Sequence, residues 1–255
     1  MLRYVIRNVQ KLKYWARSMG YVRYSMNRIL WDSGSPWSLI RPEALEDMFP
    51  NIENVDGDVR ILYPRKRKRG MSIELEELVT ILTIVKYFDF ERIVEVGTYD
   101  GNTTLYMALN MNDQGRIVTI DLPPDGLESP TLTDRIQPVD FLERQYVGTS
   151  VEGKIQQVYG DSAKLDWDGL GGPFDMAFID GDHSSKYALN DTRKALSVLR
   201  PGGTILWHDY EMETVSRVID EAVILGENIN WIKGTRIAIG IFDDPLSSRD
   251  KFVLP

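Results

Sequence analysis

Apolar residues fall in two rhythms from Ser72 onward, and the rhythms predict an order of elements. Between Ser72 and Phe88, Leu75, Leu78, Val79, Leu82 and Val85 recur at three- and four-residue spacing, the mark of a helix with one buried face. Ser72 stands where it would cap that helix, and Glu74, Glu76 and Glu77 fill its first turn, where the helix dipole favours acids. A β-rich run from Arg92 to Val96 stops at Gly97. Residues from Asn102 to Asn110 are predicted helical, and those from Arg116 to Ile120 form a strand ending in Asp121. A long, proline-containing connection from Leu122 to Val139 leads to a helix expected around Phe141–Tyr146. Lys154 to Tyr159 and Phe174 to Ile179 are further strands, followed by Gly160-Asp161 and Asp180. Ser184 to Leu199 is predicted helical and stopped by Pro201-Gly202-Gly203. Thr204 to Trp207 is a strand, Val215 to Ile224 a helix, and Ile229–Ile232 with Ile237–Phe242 a pair of strands close enough to form a hairpin.

Short apolar strands alternating with amphipathic helices predict an α/β fold, a doubly wound and mostly parallel seven-stranded sheet with helices on both faces. The terminal hairpin adds one antiparallel strand. Ahead of the run Arg65-Lys66-Arg67-Lys68-Arg69-Gly70 the pattern differs, so residues 1–70 are expected to form a helical or irregular extension and residues 71–255 the main domain. Within the extension Leu2, Val5, Val9, Leu12, Ala16 and Met19 take one helical face and Arg3, Arg7 and Lys11 another, interrupted near Gly20. This basic amphipathic helix reads as a docking or homo-oligomerisation element; a peripheral membrane contact through residues 1–31 is the second reading.

Charge sharpens that division. The net charge is −8 over 255 residues, yet residues 1–31 hold seven Lys or Arg and no acid. The remainder therefore carries 23 basic against 38 acidic side chains, a balance of −15. An acidic body argues against nucleic acid as a partner, which needs a basic face. The chain has no cysteine, which excludes disulfides, thiolate metal sites and cysteine nucleophiles. No stretch reaches the roughly 18 consecutive apolar residues of a membrane span, and no secretory signal is readable, so a cytoplasmic and at most membrane-associated protein is expected.

In open α/β sheets ligands bind outside the carboxyl ends of the strands, near the point where strand order reverses. Those ends read Glu95/Gly97, Asp121, Gly160-Asp161-Ser162, Asp180-Gly181-Asp182-His183 and His208-Asp209. Each taken alone has a plain alternative, since an Asp after a strand often caps the next helix and a lone histidine is often only packed. Together they gather every strand-end acid and both histidines of the chain on one edge. The first turn, Gly97-Thr98-Tyr99-Asp100-Gly101, lacks the Gly-x-Gly-x-x-Gly pattern that lets backbone approach a pyrophosphate. Glu95 before it suits a cationic ligand such as an aminoacyl sulfonium. Asp121, 24 residues beyond Gly97, stands where an acid can accept both ribose hydroxyls. These features favour S-adenosyl-L-methionine over NAD; an NAD-dependent oxidoreductase and a non-catalytic interaction module are the competing readings.

From about Ser72 to Phe242 the chain resembles the Rossmann-like class I S-adenosylmethionine-dependent methyltransferases. The likeness rests on Val94-Glu95-Val96-Gly97-Thr98-Tyr99-Asp100-Gly101, Ile120-Asp121, Gly160-Asp161-Ser162, Phe178-Ile179-Asp180-Gly181-Asp182-His183-Ser184, Leu199-Arg200-Pro201-Gly202-Gly203 and Trp207-His208-Asp209-Tyr210. The later motifs are similar to those of small-molecule O-methyltransferases of the catechol and macrocin type. That resemblance implies a cofactor site of Glu95, Gly97, Thr98, Tyr99, Asn102, Thr103, Asp121, Asp161, Ser162 and Asp180. It implies a small-molecule hydroxyl acceptor, such as a sugar or natural product, and a divalent cation, magnesium or manganese, on Asp180, His208 and Asp209. His208 stands where metal-dependent relatives usually carry an acid, so it is expected to be a third ligand or a general base, with Asp182 or His183 as proton acceptor.

Overall fold

The computed structural model describes residues 38–55, 59–61, 73–123 and 144–254. The basic helix expected over residues 1–31, the 65–69 run, Ser72 and most of the 122–150 connection lie outside the described residues. In chain order the elements are strand β1 (Pro42–Glu43), helix α1 (Leu45–Met48), α2 (Leu75–Tyr87), β2 (Arg92–Val96), α3 (Asn102–Asn110), β3 (Arg116–Asp121), β4 (Ile155–Tyr159), β5 (Phe174–Ile179), α4 (Ser185–Val198), β6 (Leu199–Trp207), α5 (Glu213–Ile224), β7 (Ile229–Ile232), β8 (Ala238–Phe242) and α6 (Pro245–Arg249). They build one sheet in the order β1-β7-β8-β6-β5-β2-β3-β4. Only β8 runs antiparallel to its neighbours, β6 and β7. The doubly wound, mostly parallel sheet follows the apolar rhythm, with all seven expected strands present. An eighth, the two-residue β1, pairs parallel with β7 at Pro42↔Trp231 and Glu43↔Ile232.

The inner parallel strands β2, β3 and β5 are covered on both faces, so alternate residues feed two different cores. On β2, Ile93 packs with the α2 and α3 side, while Val94 and Val96 face the α4 and α5 side. Glu95 therefore falls on the α2/α3 side, inside the protein. The strand order reverses at β2, whose neighbours are β3 and β5. That places Gly97 and Asp180 side by side at the switch point. Among the described residues no helix is long and apolar enough to cross a membrane.

Three local expectations are corrected. Helix α2 is capped by a reciprocal Glu74–Glu77 box. Its buried stripe is also rotated: Leu78, Ile81, Leu82, Ile84 and Val85 are buried, whereas Leu75 and Val79 stay 50% and 38% exposed. The rotation carries Glu77 inward, because 3.6-residue geometry sets position 77 beside 81 and 84. Second, α4 ends at Val198 and Pro201-Gly202-Gly203 belong to β6. The Pro201 nitrogen has no N–H to give, and the register shifts between Phe174 and Met176 along this stretch, so the ladder bends around it. Third, the helix expected around Phe141–Tyr146 lies partly outside the described residues, and residues 145–148 form turns.

Candidate active site

The turn after β2 is pressed against the end of β5. Gly97 has φ +95°, and a Cβ there would sit 2.1 Å from the Asp180 carbonyl oxygen, so no side chain fits. The Gly97 N–H donates to Ile120 O at 2.9 Å and the Asp180 N–H to Val96 O at 2.9 Å, tying three strand ends together. Tyr99 follows at φ 48°, and Gly101 at φ 75° opens α3. Asn102 donates its backbone N–H to Asp100 Oδ1 at 3.0 Å, and Thr103 is half-buried on the first turn of α3. The N-terminus of α3 thus faces the same edge as the strand ends.

Asp121 ends β3 with its carboxylate over this turn. Oδ2 accepts the Tyr99 N–H at 3.0 Å and a guanidinium N–H of Arg144 at 2.9 Å, and Oδ1 accepts the Leu122 N–H. Burial raises its pKa above the ordinary value and Arg144 works against that rise. Arg144 is a contact that no sequence motif announced.

Glu95 differs from its expected contact with a cationic ligand. It is fully buried, with Oε2 accepting from Thr104 Oγ1 at 2.5 Å and Thr119 Oγ1 at 2.6 Å. Thr119 in turn meets Thr98 Oγ1 at 2.6 Å, which Gln157 Nε2 also reaches. Desolvation pushes the Glu95 pKa up to about 8 despite the two threonines. The group therefore braces the turn from beneath and is largely uncharged at neutral pH. Asp161 and Ser162 serve the next loop: Asp161 accepts from Ala163 N–H and Tyr187 Oη and pairs with Lys164, and buried Ser162 bonds to Asp191 on α4.

Beyond β5 and β6 the polar groups converge. His183 Nε2 lies 2.7 Å from Asp209 Oδ2 and 3.8 Å from Asp180 Oδ1. His208 Nδ1 lies 2.9 Å from Asp180 Oδ1 and 3.4 Å from Asp209 Oδ1. Neither nitrogen is aligned to hydrogen-bond, and both are buried without such a partner. One donor atom each from Asp180, His183 and Asp209 lies within 4.8 Å of the others, a grouping that suits a metal ion. His208, expected among the ligands, is set deeper: it is 5% exposed against 32% for His183, and its Nε2 faces Glu77 Oε2 at 3.3 Å. Burial opposes the charge on both rings, but Asp180 and Asp209 prevail, raising His183 to about 10 and His208 well above its ordinary value. A ring held charged between carboxylates has no lone pair to act as a base, and the same two carboxylates favour the charged form of both histidines. Asp182 accepts the Ser184 N–H at 2.8 Å, the turn that starts α4.

Two residues at this site carried no readable signal. Glu77 looked like an ordinary first-turn acid of α2, and Arg236 sits in the β7–β8 connection. Glu77 is completely buried, and its Oε1 accepts from Arg236 N–H at 2.8 Å and Nε–H at 2.9 Å. Arg236 Nη1 donates onward to Asp209 Oδ1 at 2.8 Å. Although burial raises it, His208 and Arg236 pull the Glu77 pKa down to about 2.

Comparison with known proteins places this geometry. A family model described as a methyltransferase domain matches residues 94–210. A catechol O-methyltransferase of Mycobacterium tuberculosis is 30% identical over 115 residues, 45% of this chain and 46% of that protein. The mouse catechol O-methyltransferase domain-containing protein 1 is 22% identical, covering 74% of this chain and 71% of its own length. The chain thus spans about half the length of the first relative and about seven-tenths of the second. Among solved structures, the O-methyltransferase TomG of Streptomyces achromogenes, in complex with S-adenosylmethionine, has the same fold, with TM-score 0.53 and 15% identity over 80% of this chain and 92% of that one. The turn after β2, the acid after β3 and the donors after β5 and β6 all lie within or beside the matched span. Residues 94–210 thus match a methyltransferase domain, and the relatives with which the chain aligns carry the name of catechol O-methyltransferase.

Proposed function

We propose that this protein transfers the methyl group of S-adenosylmethionine to a hydroxyl of a small molecule, such as a sugar or natural product, at the end of β5 and β6. The observation that carries the reading is the convergence of Asp180, His183 and Asp209 next to a glycine turn and a ribose-type acid. On this reading the turn from Gly97 to Gly101 and the N-terminus of α3 hold the amino-acid part of the cofactor, and Asp121 accepts the ribose hydroxyls. Asp161 and Ser162 border the adenine.

Asp180 and Asp209 suit a divalent cation, magnesium or manganese: their oxygens converge with buried nitrogens that have no hydrogen bond of their own. Asp180 and Asp209 would hold such a cation, and the chemistry it would supply is a lowered pKa for an acceptor hydroxyl. The chain's own share is alignment. Methyl transfer needs an oxygen lone pair in line with the methyl–sulfur bond, and holding both reactants on one rigid sheet edge supplies that orientation. His183 is the histidine that reaches the opening, and it would take the acceptor's proton at Nε2 only once a cation on Asp180 and Asp209 offset the negative charge that keeps its ring protonated; His208 is too enclosed for that task.

A thermal-shift panel of S-adenosylhomocysteine, NAD and NADP, each with magnesium, manganese or chelator, tests the reading. S-adenosylhomocysteine is expected to stabilise the protein and NAD to leave it unchanged. Stabilisation by NAD alone would overturn the cofactor. Transfer to a catechol or sugar acceptor by the Asp209→Ala variant in chelator would overturn the metal.

A further inference from the structure

We propose that Glu77 and Arg236 form a positioning pair that presets Asp209 directly, and Asp180 through the His208 ring, for a divalent cation. The inference rests on the proposed metal-assisted reading of the site. Neither residue lies in the matched span 94–210. Glu77 comes from α2 and Arg236 from the β7–β8 connection, 159 positions later.

The Glu77 carboxylate is saturated. Oε1 takes the Arg236 backbone N–H at 2.8 Å and its Nε–H at 2.9 Å; Oε2 takes Arg236 Nη2 at 2.5 Å, the Glu74 N–H at 3.2 Å and His208 Nε2 at 3.3 Å. Fork-shaped pairing of this kind fixes orientation as well as charge. Two consequences reach the candidate ligands. On one side, the contact at Nε2 sets the rotation of the His208 ring, so that Nδ1 faces Asp180 and Asp209. On the other, Arg236 holds Asp209 and its neighbour: Nη1 donates to Asp209 Oδ1 at 2.8 Å, and the Arg236 carbonyl accepts the N–H of the following residue, Tyr210, at 2.9 Å.

This hold matters because Asp209 is backbone-strained. Its φ is 53°, a left-handed conformation that a non-glycine residue holds only when its surroundings enforce it. That conformation turns the carboxylate toward His183 and Asp180. A chain that needed only a stable β6 end would have no use for a strained aspartate held by a buried ion pair. Carboxylate partners that orient ligands in this way govern metal affinity.

The test is manganese titration of the full-length, cofactor-free protein by calorimetry for wild type, Glu77→Gln and Arg236→Lys, with S-adenosylhomocysteine titrated in parallel. Both variants are expected to weaken manganese binding roughly 10–100-fold and to change S-adenosylhomocysteine affinity by less than about twofold. Arg236→Lys leaves the α2 cap intact, so it reads the same inference even where Glu77→Gln does not fold. A purely structural pair would lower the melting temperature and leave manganese affinity unchanged, and that result in the folded variants overturns the inference alone. Absence of manganese binding in the wild type overturns the metal reading and this inference together.

Discussion

Glu95 offers the sharpest test of how the turn after β2 is supported. Glu95→Gln keeps the shape of the side chain and removes its ability to ionise. The carboxyl titrates near 8 in the folded protein because burial penalises its ionised form more than Thr104 and Thr119 relieve it. In the unfolded chain it titrates at about 4.5. The folded state therefore holds the proton more tightly, and stability falls as pH rises through that window. Below about 4.5 the penalty is absent; by pH 7 it reaches about 3 kcal/mol, and above pH 8 about 5 kcal/mol. Glutamine does not titrate, so the variant should match wild type near pH 5 and exceed it increasingly toward pH 8. At about 2–4 °C per kcal/mol for a domain of this size, the gap in melting temperature should open by roughly 6 °C or more by pH 7. Thermal melts of both proteins from pH 5 to 8.5 measure it. Other groups also titrate there, Glu211 near 8 and Asp191 near 6, but they are common to both proteins and cancel in the difference. A melting-temperature difference that stays constant across the range would refute a buried, neutral Glu95.

Two further outcomes follow from the same edge of the sheet. Gly97→Ala adds a Cβ 2.1 Å from the Asp180 carbonyl at φ +95°; it should cost about 2–4 kcal/mol in denaturant melts and abolish S-adenosylhomocysteine binding, and a variant that binds normally would mean the turn does not face the cofactor. Asp121→Asn removes a charged acceptor at the ribose position and should raise the dissociation constant for S-adenosylhomocysteine about 10-fold or more by calorimetry; an unchanged constant would move the ribose elsewhere.

The two kinds of knowledge divide along the physics. Period-2 and period-3.6 patterning is a local property, and it sufficed to place the seven main strands, most of the helices and the antiparallel strand. It also gathered Asp121, Asp180, His183, His208 and Asp209 on one edge, because in a parallel sheet every strand must end there. The motif at Gly97 was equally legible, since only glycine fits against Asp180.

What local pattern does not encode is which way a side chain turns once elements pack. Glu95 has the same sequence context whether it faces a ligand or the interior; strand alternation with two-sided burial decided for the interior. Asp182 was as good a proton acceptor as a helix-starting turn residue until its contact with the Ser184 N–H was visible. The two histidines were likewise interchangeable by position, and only depth separates the half-open His183 from the enclosed His208. Glu77 shows the limit most clearly. An acid in the first turn of a helix is favourable on dipole grounds alone, so nothing marked it, and Arg236 lay far along the chain. Their pairing depends on the rotation of α2 about its axis and on where the β7–β8 connection lands, both settled by the packing of distant segments. The sequence by itself determined the sheet, its open edge and the residue types delivered there. Tertiary packing decided which of those residues face one another, because charge pairing and desolvation act through space and not along the chain.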